Sequence, residues 1–115
     1  MLLTEQKRAE LTPMFETLLD TINHPRLQIG RPTCAVIIKL TPNEETVGAM
    51  TASGTYTPCY SVPLQVDLLA TLREIFAAFR AEYSRNRTLF FRYNRQRQKL
   101  QMFACCTMAL ASEVL

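Results

Sequence analysis

Apolar residues recur along this chain at two distinct periods. In "LTPMFETLLDTINHP", Leu11, Phe15, Leu18, Leu19 and Ile22 fall three and four apart, which predicts one buried face of a helix. Thr12 suits its N-cap and Pro13 its first turn, where a missing N–H costs nothing; Asn23 and Pro25 mark the end. The preceding "LLTEQKRAE" reads either as a separate turn or as a continuation of the helix bent at Pro13. A second helix is predicted in "VPLQVDLLATLREIFAAFRAEYSRN". There Leu68, Leu72, Ile75, Phe76, Phe79 and Tyr83 form one stripe, with Arg73, Glu74, Arg80 and Glu82 off it.

Period two governs the rest. In "RPTCAVIIKLTP", Cys34, Val36, Ile38 and Leu40 alternate with Thr33, Ala35, Ile37 and Lys39, between Pro32 and Pro42. "TPNEET" is turn chemistry, and "TVGAMTASGTYTPCY" returns as one strand bulged, or two strands broken, at Gly48 and Gly54. "RTLFFRY" and "KLQMFACCT" alternate in the same way. They flank the polar "NRQRQ", a suitable length for a hairpin connection. The order helix, strands, helix, hairpin predicts a single α+β domain over residues 1–115. Its antiparallel sheet carries both helices on one face.

Charge sharpens the picture at the hairpin. Residues 1–72 carry five Lys/Arg against seven Asp/Glu, and residues 73–115 carry eight against three, a net of −2 against +5. No acid lies between Tyr83 and Ser112. Arg92, Arg95, Arg97 and Lys99 are therefore the candidate partner-binding residues; Arg95, Arg97 and Lys99 sit at or beside the hairpin tip, where they either project together toward an acidic partner or form only a solvated turn. Phe90 shares a face with Arg92, and Tyr93 takes the other. A helix over the Phe90 face would leave only the tip free.

Candidate chemistry is sparse. His24 is the single histidine and sits at a helix end; Glu44 and Glu45 lie in a turn; Asp67 suits a first helical turn. Gly30, Gly48 and Gly54 form no phosphate-cradling motif. Cys34, Cys59, Cys105 and Cys106 contain no C-x-x-C and are expected to be reduced small hydrophobes rather than metal ligands. The expectation is a protein without enzymatic activity, cofactor or metal. "MLLTEQKRAELT" lacks the pattern of a secretory signal, and no apolar run reaches a membrane span, so the reading is cytoplasmic with no membrane partner.

The element order, carried mainly by "LLATLREIFAAFRAEYSRNRTLFFRYNRQRQKLQMF" over residues 68–103, resembles the YezG-like immunity proteins. These are small cytoplasmic α+β antitoxins that bind and block a nuclease toxin. The same order is similar to the class I chaperones of type III secretion, dimeric proteins that hold an extended effector segment. Both groups are usually acidic, whereas this half of the chain is basic. The resemblance implies a small protein-binding module of the inhibitor or chaperone type, with a protein partner and room for a homodimer. The alternative expectation is a nucleic-acid-associated accessory protein that uses the basic hairpin around residues 85–99.

Overall fold

The computed structural model describes residues 2–23, 33–59, 62–85 and 87–104. The elements run α1 (Glu5–Ile22), β1 (Thr33–Leu40), β2 (Glu45–Thr51), β3 (Tyr56–Pro58), α2 (Val66–Glu82), β4 (Leu89–Asn94) and β5 (Lys99–Ala104). The five strands form one antiparallel sheet in the order β3-β2-β1-β4-β5, so the C-terminal hairpin pairs onto β1 at the centre. This is the α+β arrangement that the two periodicities predict. His24, Cys105 and Cys106 lie outside the described residues.

Both helices cover the same face of the sheet. Cross-strand partners build three core rows: Ala104–Leu89–Leu40, Met102–Phe91–Ile38–Val47 and Leu100–Tyr93–Val36–Ala49. Leu11, Phe15, Leu18, Leu19 and Ile22 from α1 meet these rows, together with Leu68, Leu72, Ile75, Phe76 and Phe79 from α2. Burial of these apolar side chains between sheet and helices is the main force holding the fold. Phe76 and Phe79 add a stacked aromatic pair at 6.3 Å, and Tyr83 closes it at 5.5 Å from Phe79.

The first helix begins earlier than Thr12. Thr4 is its N-cap, accepting from the Lys7 amide at 3.2 Å, and Pro13 lies inside the helix. The continuation through Pro13 is therefore the form adopted. An interior proline removes a backbone hydrogen bond and crowds the preceding turn, a cost of roughly 3 kcal/mol in an isolated helix. Tertiary contacts on the first half offset it. Leu3 and Leu11 are fully buried, Arg8 donates to the Leu100 carbonyl on β5, and Lys7 lies 3.6 Å from Glu74. Thr12 is not a cap; its hydroxyl donates to the Arg8 carbonyl at 2.7 Å.

Asn23 ends α1 and fixes the start of the sheet. Its side-chain oxygen accepts from the Thr33 amide at 2.8 Å and its nitrogen donates to the Thr33 carbonyl at 3.0 Å. At the other end of β1, Arg73 of α2 donates to the Thr41 carbonyl at 2.5 Å and pairs with Glu45 at 2.8 Å. These two ties, at opposite ends of the central strand, orient both helices on the sheet.

Candidate recognition surface on the open sheet face

The strand alternation sends a second set of residues to the face opposite the helices. Three cross-strand rows cross it: Phe103–Phe90–Lys39–Thr46, Gln101–Arg92–Ile37–Gly48–Pro58 and Lys99–Asn94–Ala35–Met50–Tyr56. None of the helices described packs on these rows. Among the described residues the Phe90 face is therefore the uncovered one and Tyr93 points to the core, which leaves aromatic and basic side chains together on one surface. Ile37, Met50, Phe90 and Phe103 are half-buried, while Lys39 and Lys99 are exposed. Three cations occupy the rows and no acid does.

Arg92 is held at the centre of this surface. Its guanidinium lies 4.9 Å from the Phe103 ring centroid and donates to the Gln101 side-chain oxygen at 2.5 Å. Each contact restricts a long side chain that otherwise loses freedom on binding, so the charge is presented in a fixed place. At the far side of the sheet, Gly48 in β2 makes room for the Tyr56 ring of β3; a methyl at Gly48 would overlap that ring. Gly48 thus stays within a regular strand. The chain reversal falls instead at Gly54, whose φ of 88° is the left-handed region that glycine enters freely.

Three of the four hairpin residues converge. Arg92, Arg97 and Lys99 line a cavity of about 280 Å³ with Cys34, Met50 and Asn94 at one end of the open face. Arg97 sits at the tip, where its amide donates to the Asn94 side-chain oxygen at 3.1 Å. The tip closes through Gln98, which takes a left-handed φ of 50°.

Arg95 does not join them. It turns to the helix side, where its guanidinium pairs with Glu16 at 2.8 Å and Asp20 at 2.6 Å and donates to the Glu16 carbonyl at 3.0 Å. Burial works against its charge, but the bonds to Asp20 and Glu16 outweigh that and raise its pKa. Tyr93 donates its hydroxyl to the same Glu16. Burial, then that hydrogen bond and the carboxylate's charge, push the Tyr93 pKa up to about 12. Arg95 is thus a tie between the hairpin and α1. The expectation that it projects with Arg97 and Lys99 fails because two acids one helical turn apart face the hairpin.

Lys39, Phe103, Ile37 and Met50 were not candidates from the sequence, yet they share the surface with Phe90 and Arg92. The usable signal was parity: Phe90 and Arg92 alternate with core residues in one strand, as Gln101 and Phe103 do in the other. Among the described residues, no group of three His, Cys, Asp or Glu side chains is placed to hold a metal ion. Cys59 is buried and Cys34 half-buried, both as free thiols; burial pushes the Cys59 thiol up. No described helix is long and apolar enough to cross a membrane. Compared with known protein families, with curated proteins and with solved structures, the chain finds no match in any of the three.

Proposed function

We propose that this chain is a small non-enzymatic protein-binding module, of the inhibitor or chaperone kind, that takes an acidic protein partner onto its open sheet face. The observation that carries the reading is the composition of that face. Aromatic and aliphatic side chains alternate with Lys39, Arg92 and Lys99, and no carboxylate shares the rows to neutralise them. Aromatic residues, Met and Arg are the side chains enriched at protein interfaces, and an uncompensated positive surface favours a negative one.

A second copy is a poor occupant of the same face. A two-fold pairing would set the three cations of one chain against those of the other, with no acid on either side. Any homodimer would use another surface. Nucleic acid is the alternative occupant: the Arg92 guanidinium takes one face of the Phe103 ring, and Phe90 and Tyr56 are the other rings on the rows.

Site-specific photocrosslinking in the producing cell tests the reading whatever the partner's identity. A photoreactive residue at Met50 or Thr46 on the open face should yield a discrete protein adduct. The same residue at Ala78 or Glu82, exposed on α2, should not. Adducts from the α2 positions alone, or nuclease-sensitive adducts from the open face, would contradict it.

A further inference from the structure

A separate feature lies at the other end of the sheet. Arg80 stands in the last turn of α2, and its Nε–H is buried without an acceptor among the described residues. Buried guanidinium donors are normally satisfied, so an orphaned one marks a place where an acceptor belongs. Arg80 lines a cleft of about 470 Å³ together with Arg87, Thr88, Thr41 and Glu44. Arg87 is exposed, and neither arginine has an acid within ion-pair distance among the described residues. The Thr41 carbonyl is already taken by Arg73.

We propose that this cleft is a binding site for an oxyanion, with phosphate the best match to the two arginines that line it. Arg80 supplies the buried donor and Arg87 the solvent-side donor, in charge-assisted bonds whose planar geometry suits an oxygen-rich anion. Thr88 lines the same cleft. Glu44 is the opposing group: its carboxylate lowers the local field and sets an upper limit on affinity. The site shares no residue with the open sheet face, so it stands or falls independently of the partner proposed there.

The test is a titration of the whole protein with sodium phosphate, with sodium acetate and sodium chloride at matched ionic strength, following the Arg80 Nε–H resonance by NMR. The expected result is a saturable shift with phosphate that chloride does not reproduce. Arg87→Gln should weaken it about tenfold, the loss of one charge-assisted bond. Glu44→Gln should tighten it. Saturation by acetate at lower concentration than phosphate would identify the group as a carboxylate within the same oxyanion class. A shift that fails to saturate, that chloride matches, or that Arg87→Gln leaves unchanged would overturn the proposal. So would a Glu44→Gln variant that loses stability and still binds no anion, because Glu44 would then be the acceptor Arg80 uses.

Discussion

Raising the pH should unfasten the Tyr93–Glu16–Arg95 tie in a way that stability measurements can resolve. Tyr93 is 1% exposed and its pKa rises from an ordinary value near 10 to about 12. Below pH 10 both folded and unfolded chains hold the phenolic proton, and the full contribution is present. Between pH 10 and 12 the unfolded chain releases the proton while the folded chain keeps it, so stability falls as pH rises. The slope is about 1.4 kcal/mol per pH unit, and the loss approaches about 3 kcal/mol by pH 12. Tyr93→Phe removes this dependence and also the hydrogen bond to a charged acceptor, which contributes about 1.5–3 kcal/mol. Urea denaturation of both proteins at intervals from pH 8 to 12 isolates the effect, because every other titrating group is common to the two. The difference between them should be constant below pH 10 and shrink toward zero by pH 12. A difference as large at pH 12 as at pH 9 would rule out the placement of Tyr93 against Glu16.

Other expectations follow from the packing and the turns. Phe76→Ala should cost about 3–5 kcal/mol in chemical denaturation, as truncation of a core aromatic does, and a loss under about 1 kcal/mol would mean that the stripe of α2 is not the buried one. Gln98→Gly should raise stability by roughly 0.5–1 kcal/mol, since glycine tolerates the left-handed tip conformation; a comparable loss would show that the tip does not hold it. Gly48→Ala should move the Tyr56 ring off the sheet, visible in its ring-proton shifts; unchanged shifts would remove the reason given for a glycine there.

How much of this was legible in the sequence depended on how local the cause was. The strand alternation around Val36 and Ile38, and the Leu68-to-Phe79 stripe, are patterns of neighbours, and each element formed where its period lies. The helix start was not local. Pro13 is a sound first-turn residue on its own, and only the burial of Leu3 and Leu11 and the reach of Arg8 to β5 make the longer helix favourable. Arg95 shows the same limit more sharply. Within "RYNRQRQK" it is one of four equivalent cations, and Glu16 and Asp20, which bind it, lie some seventy-five residues or more earlier in the chain. The open face was half visible. Parity separated Phe90 and Arg92 from Tyr93, but which of the two faces the helices would cover follows from packing across the whole sheet.

Binding of an acidic protein to the open sheet face, as proposed, runs through Arg92 and its neighbours. The most direct measurement is the affinity of the purified, crosslink-identified partner for the wild-type chain and for Arg92→Glu, across a range of salt. Arg92 contributes to the face rather than to the core, so the variant should keep its fold, checked by its denaturation midpoint. Arg92→Glu should bind at least tenfold more weakly, carried partly by slower association, and with a shallower dependence on salt. A folded Arg92→Glu chain that binds the partner as tightly as wild type, with the same salt dependence, would contradict it.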